Sequence, residues 1–251
     1  VSITNVTSYE QIEKVIEWYK LLFSLLEPGG RLLVIGTRWD SADLYGWILK
    51  EFAGVDAFPI CLDTQDDEKI IEIVRAIAPV FGAINLEDIS SPRCFDIERR
   101  IRAELLIPVM HDDQHGTAVV VLAGLINSAK VVKKRFENMK VVIVGAGAAG
   151  RAITLILVQS GMKNVIVVDR SGIIHQKRKG IGGYKKELAA LTNPNHEAGE
   201  LEDAVKGADV LIGVSGPGRI SKANVEAMAK DAIVFALANP VPEIKPDDAK
   251  A

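Results

Sequence analysis

Short apolar runs alternate with longer segments in which apolar residues recur every three or four positions, from one end of the chain to the other. A short, continuously apolar run fits a strand buried on both faces, and the helical recurrence fits an amphipathic helix lying across it. The alternation predicts an α/β fold with a mainly parallel sheet. Strands are expected over residues 32–35, 57–61, 83–86, 140–144, 164–168, 210–214 and 233–237. Helices are expected over 9–26, 42–52, 66–77, 93–104, 117–132, 148–159, 184–191 and 222–229. Pro28-Gly29-Gly30 stops the first helix, because proline cannot continue it and glycine accepts the turn.

One compositional break divides the pattern. Trp18, Trp39 and Trp47 are the only tryptophans, and Tyr9, Tyr19 and Tyr45 are three of the four tyrosines, so nearly all of both precede residue 50. The break places a boundary near residues 52–55. A formal charge of −3 supplies no general attraction for nucleic acid or an anionic membrane, which leaves small molecules and other subunits as the expected partners. Cys61 and Cys94 form no C-x-x-C pair and fit reduced thiols better than a disulfide framework. No apolar run approaches the about 18 residues of a membrane span, and no signal-peptide core opens the chain; a cytoplasmic protein is expected.

The most informative segment is Val141 to Gly150. A buried strand, Val141-Val-Ile-Val144, runs directly into Gly145-Ala146-Gly147-Ala148-Ala149-Gly150, and Arg151 to Val158 continues as a helix. This is G-x-G-x-x-G in a strand-turn-helix setting. Gly145 permits the tight turn, Gly147 lets a pyrophosphate approach the backbone, and Gly150 allows close packing of helix on strand. The next strand ends at Asp169, about twenty residues on, where a carboxylate can accept hydrogen bonds from ribose hydroxyls. Asp169 favours NAD, since it repels a 2′-phosphate, while adjacent Arg170 keeps NADP open. Gly213, Val214 and Ser215 follow another strand and either line the same cofactor or form a plain strand-end turn.

Glu87 and Asp88 end one expected strand, and Asp112 and Asp113 end the short apolar stretch 107–110. Parallel sheets present ligands at that edge, so the four carboxylates are either an oxygen cage for Mg²⁺ or Mn²⁺ or solvated and helix-capping groups. His111 and His115 stand four apart, but Gly116 interrupts them, H-E-x-x-H is absent, and no third nitrogen or sulfur ligand is near; zinc is not expected.

The segments 55–60, Ile84-Asn-Leu-Glu-Asp-Ile89, His111-Asp-Asp-Gln-His-Gly-Thr117, Gly145 to Gly150 and Phe235-Ala-Leu-Ala-Asn-Pro240 together resemble the bacterial malic enzymes, in that family's order. Shikimate dehydrogenase-like enzymes share the glycine turn but not the acidic motifs. The resemblance implies a Rossmann-like, doubly wound domain over 118–251, preceded by a partial metal and substrate portion over 53–117. It implies Glu87, Asp88 and Asp113 as divalent-metal ligands, Asp112 beside them in the catalytic pocket, and Asn239 against a dicarboxylate. The implied chemistry is NAD(P)-dependent oxidative decarboxylation of malate to pyruvate and CO2 with Mg²⁺ or Mn²⁺, in a homo-oligomer.

That family also uses a tyrosine from a segment of the type L-Y-T-P-G-V-A and a lysine from one like E-G-K-A, neither of which occurs in this sequence. Laying Lys50-Glu-Phe52 on the lysine helix puts Tyr45 at the lysine position, so turnover by this chain is expected to be impaired. Residues 1–52 resemble the late ATPase region of phage terminase large subunits, through Trp18-Tyr19, Leu32 to Trp39 and Asp43 to Gly46. No G-x-x-x-x-G-K-[ST] loop is present, so ATP hydrolysis is not expected. Two other readings stand beside the enzyme: a non-catalytic nucleotide-binding or interaction module, and a fragment of a DNA-packaging ATPase.

Overall fold

The computed structural model describes residues 60–250. The chain divides into two compact units, residues 1–65 and 66–251, and all that follows concerns the second apart from Ile60 and Cys61. The expected elements at 9–26, 32–35 and 42–52, and the boundary near 52, lie outside the described residues. So does most of the expected strand at 57–61; its last two residues, Ile60 and Cys61, are irregular.

The first part of the unit is a small α/β layer. Helix α1, Asp67–Ile77, starts where the Asp66 side chain accepts from the amides of Glu68 and Lys69 at 2.9 and 3.2 Å, and it buries Ile70, Ile71 and Val74. Strands β1, Ile84–Leu86, and β2, Val109–His111, pair in parallel and are crossed by α2, Arg93–Glu104. Cys94, Ile97 and Ile101 of α2 are fully or almost fully buried.

Helix α3, Asp112–Val131, begins five residues before the expected Thr117. His111 remains extended as its N-cap, and Asp112 and Asp113 form the first turn, where negative charge is favoured by the helix dipole. The apolar periodicity starts only beyond Gly116, which is why it set the start too late. The four carboxylates therefore differ in setting: Glu87 and Asp88 follow a strand, whereas Asp112 and Asp113 belong to a helix.

The larger sheet has the order β5-β4-β3-β6-β7. Its members are β3 Lys140–Val144, β4 Asn164–Asp169, β5 Gly172–Ile173, β6 Val210–Gly213 and β7 Ile233–Ala236. All neighbours are parallel except β4 and β5. The antiparallel edge strand β5 escaped the sequence pattern because two residues carry no periodicity. Val214 and Leu237, expected as strand ends, lie in the loops after β6 and β7.

Alternation along the strands explains the layers. Val141, Ile143, Val165, Val167, Val210 and Ile212 face α3, α4 (Ala148–Gln159) and α5 (Tyr184–Leu191). Val142, Val144, Ile166, Val168 and Leu211 face the other side, with Ala204 of α6 (Leu201–Ala204) and Val225 of α7 (Lys222–Glu226). Helices on both faces are the doubly wound arrangement, and they require strands that are apolar at every position. Helix α7 is shorter than expected and starts from a capping box between Ser221 and Asn224. A last short helix, α8, covers Pro246–Ala249.

Leu157 of α4 is fully buried in the layer between α4 and the sheet. Leu157→Ala is expected to destabilise the chain by about 2–5 kcal/mol, measured by chemical denaturation, because the cavity cannot fully collapse.

Candidate dinucleotide and metal site

From β3 the chain moves to β4 on one side, whereas β6 and β7 lie on the other, so the strand order reverses between β3 and β6. A crevice opens at such a switch point, beyond the carboxyl ends of the strands. Here it is a cleft of about 570 Å³. One wall is the segment after β1 (Asp88 to Ser91) with Asp113 and Thr117 of α3; the second is Ala148 and Ala149 at the start of α4. The loops after β6 and β7 close it, through Val214 to Pro217 and Leu237 to Asn239.

The glycine turn is built as its sequence suggests. Gly145 has φ +122°, and its amide donates to the Val168 carbonyl at 2.9 Å. A side chain there would press on the Val214 carbonyl, and one at Gly150 would run into the carbonyl of Gly145. At Gly147 a Cβ would meet only Ser91 Oγ, at 3.6 Å. Gly147 is the N-cap of α4 and supplies no side-chain cap, so the first amides of a twelve-residue helix open toward the cleft. Unpaired amides and the positive end of the helix dipole suit a pyrophosphate.

Asp169 differs from the simple expectation. Its carboxylate, with 8% of the side chain exposed, accepts from Arg178 Nη1 and Nη2 at 2.9 and 2.7 Å, Lys185 Nζ at 2.7 Å and the Ser171 amide at 2.8 Å. Two carboxylate oxygens offer about four acceptor positions, and four donors fill them. Burial alone would raise its pKa, but the bonds from Arg178 and Lys185 prevail and hold it at about 2. One carboxylate between two cations leaves a local charge that does not repel a phosphate. The cations come from Arg178 and Lys185, on the segment after β5 and on α5, while neighbouring Arg170 is exposed. Spacing along the sequence did not single out either one.

The acidic residues gather where β1 and β2 end. Leu86 pairs with His111, so Glu87 and Asp112 each stand one residue beyond the pairing, and Asp88 and Asp113 two. Asp88 and Asp113 face the cleft with Asn239. Glu87 accepts from Asn85 Nδ2 at 2.7 Å, and the Asp112 carboxylate lies over Gly116 of its own helix, in the space a side chain there would need. Desolvation, followed by the charges of Asp112 and Asp113, raises Glu87 to about 7; desolvation and Asp113 also raise Asp112. No three His, Cys, Asp or Glu side chains converge in cation-binding geometry among the described residues. The carboxylates are thus neighbours without forming a closed cage. Their hard, anionic oxygens fit Mg²⁺ or Mn²⁺ in type.

His111 and His115 do not share a helix face. His111 is fully buried at the end of β2 with Nε2 3.5 Å from Asp113 Oδ2, while His115 Nε2 lies 2.7 Å from Glu98 Oε1. Glu98 of α2, itself 5% exposed, also accepts from Gln114 Nε2 at 2.9 Å. Burial would raise Glu98, but the bond and charge of His115 hold it below the usual carboxylate range. This brace ties α2 to the helical turn that carries Asp112 and Asp113. An acid on the buried face of an amphipathic helix was its only trace in the sequence.

The fold and the cleft define a dinucleotide-binding α/β domain joined to an acidic strand-end site. Residues 114–250 match the family model described as malic enzyme, NAD binding domain, and residues 45–102 the one described as malic enzyme, N-terminal domain. The chain belongs to the malic enzyme family. It is 60% identical over 200 residues to an NAD-dependent malic enzyme of Geobacillus stearothermophilus, covering 80% of this chain and 42% of the relative. It is 42% identical over 207 residues to an NADP-dependent malic enzyme of Escherichia coli (strain K12), covering 82% and 27%. Among solved structures, the NAD-dependent malic enzyme of Thermotoga maritima superimposes with a TM-score of 0.78 at 47% identity, covering 82% of this chain and 55% of that one. The chain therefore spans about half or less of the length of these proteins.

Because its pKa is lowered, Asp169 contributes stability that is present above the unfolded value and lost as pH falls toward about 2. Asp169→Asn is expected to cost about 1–2 kcal/mol at pH 7 and roughly half that at pH 3, measured by urea denaturation at both values. A cost that does not shrink with acid would contradict the ion-pair account.

Proposed function

We propose that this chain is the nucleotide-binding and metal-binding part of an enzyme that oxidatively decarboxylates malate to pyruvate and CO2. The observation that carries the reading is one cleft in which the uncapped start of α4 faces two carboxylates, Asp88 and Asp113, and the amide side chain of Asn239. A nicotinamide cofactor would take up the hydride lost at malate C2, and Mg²⁺ or Mn²⁺ would act as a Lewis acid on the substrate oxygens.

The chain's own residues then divide the work. Amides following Gly147 bind pyrophosphate, with Ala146, Ala148 and Ala149 leaving the approach open between Gly145 and Gly150. Val214 and Ser215, after Gly213, border the cofactor, and Asn239 orients the dicarboxylate. Glu87, Asp88 and Asp113 hold the cation, with Asp112 beside them. NAD is favoured, in keeping with the NAD-dependent relative from Geobacillus stearothermophilus. The cations Arg178 and Lys185 at Asp169 make NADP an acceptable second cofactor. A cytoplasmic homo-oligomer is part of the same reading; among the described residues no helix is long and apolar enough to cross a membrane.

Isothermal titration of the 251-residue chain is expected to show saturable NAD binding; a folded sample that binds neither NAD nor NADP would sink the proposal. Mg²⁺ or Mn²⁺ is expected to raise the melting temperature, and Asp113→Asn to abolish the rise while leaving NAD affinity within about twofold. Malate turnover by this chain alone is expected to be negligible for want of the family's tyrosine and lysine segments. A rate near that of an intact relative would contradict that part. Lys185→Glu is expected to weaken NADP at least about tenfold more than NAD, because it reverses a charge beside the 2′ position.

A further inference from the structure

Glu243 has no part in the reading above, yet it is fully buried and lies in the chain that returns after β7. Its Oε1 accepts from the Ser215 amide at 2.7 Å and its Oε2 from the Ala238 amide at 3.0 Å. These donors sit on two different loops, one after β6 and one after β7, and both residues line the cleft. No cation pairs with this carboxylate among the described residues. Burying an unpaired carboxylate is costly unless its hydrogen bonds are made, so the two amides are what keep it there.

Surrounding geometry is adapted to the same group. A side chain at Gly213 would place its Cβ 2.6 Å from the Glu243 carboxyl carbon, so glycine at the end of β6 makes the room. The Glu243 carbonyl accepts from the Ile220 amide at 3.2 Å, which ties the backbone of the returning segment to the loop after β6. An apolar side chain would fill the space, but only a carboxylate offers two acceptors and no donor to two converging amides. Asparagine or glutamine would turn an NH2 group toward one of them.

We infer that Glu243 is a positioning residue, a single carboxylate that fixes the loop carrying Val214 and Ser215 relative to the loop carrying Asn239. It would thereby set the width of the cleft on the side where the nicotinamide half and the substrate meet. The adenosine end, at Asp169, lies at the end of β4, on the far side of β3 from the two clamped loops, whereas the glycine turn between them packs against Val214. The assignment of halves rests on the proposed cofactor reading; the clamp itself does not.

Two measurements on the full chain test it, using Glu243→Gln. Backbone amide exchange is expected to quicken roughly tenfold or more at Ser215 or Ala238, with exchange in β3 and β4 unchanged. NAD affinity is expected to fall roughly tenfold while ADP-ribose, which lacks the nicotinamide, binds within about twofold of the parent. Unchanged exchange at both amides overturns the clamp. Faster exchange with NAD and ADP-ribose weakened alike, or with neither weakened, overturns the positioning role. Should the parent chain bind no NAD, the cofactor reading fails and the clamp stands or falls on exchange alone. If Glu243→Gln does not fold, Gly213→Ala, which displaces the same carboxylate, is read in the same two ways.

Discussion

Strand β3 is hydrogen-bonded on both edges and covered on both faces, and nearly everything else in the unit is arranged around that confinement. Val141, Val142 and Ile143 are completely buried. A strand so enclosed can end only by turning sharply, because β4 and β6 flank it in register, Val144 opposite Val168 on one side and Gly213 on the other. Gly145 makes the turn beneath the Val214 carbonyl, and Gly150 lets α4 fold back onto the turn. The crevice is the space left where the neighbours of β3 depart in opposite directions.

Charge placement around the crevice follows from the same crowding. At the end of β4 Asp169 is saturated by Arg178, Lys185 and a backbone amide, and two cations against one carboxylate leave a net positive charge. At its acidic end, desolvation, reinforced by the charges of Asp112 and Asp113, raises Glu87 to about 7. Glu98 and Glu243 are two buried carboxylates that do not themselves line the cleft. Glu98 holds Gln114 and His115, and Glu243 holds two loop amides. Asp88 and Asp113 thus face the cleft, whereas Glu98 and Glu243 brace the segments around it.

How much of this could be read in the sequence depended on whether the signal was local. The strand and glycine turn at 140–150 were legible because continuous apolar character, three glycines and a helix follow within a dozen residues. Helices α2, α4 and α5 have the bounds their periodicity gives. The start of α3 did not, since its first turn is held by a dipole and a brace rather than by apolar contacts. The acidic pairs were legible as strand-end neighbours, but their separation across the β1 and β2 ends depends on register, which no single segment encodes. Arg178, Lys185 and Glu243 were hidden for the same reason: each acts on a partner 9, 16 or 28 positions away.

The Asp169 cluster shows why a residue type at a strand end is a weaker guide to cofactor choice than the potential it sits in. A lone carboxylate beside a ribose argues against a 2′-phosphate by repulsion. With Arg178 bound through both terminal nitrogens and Lys185 through its ammonium, the same carboxylate becomes the anchor of a cationic site. Under the proposed cofactor reading, discrimination between the two dinucleotides would turn on Lys185, the more exposed of the two cations and so the freer to leave Asp169 for a phosphate.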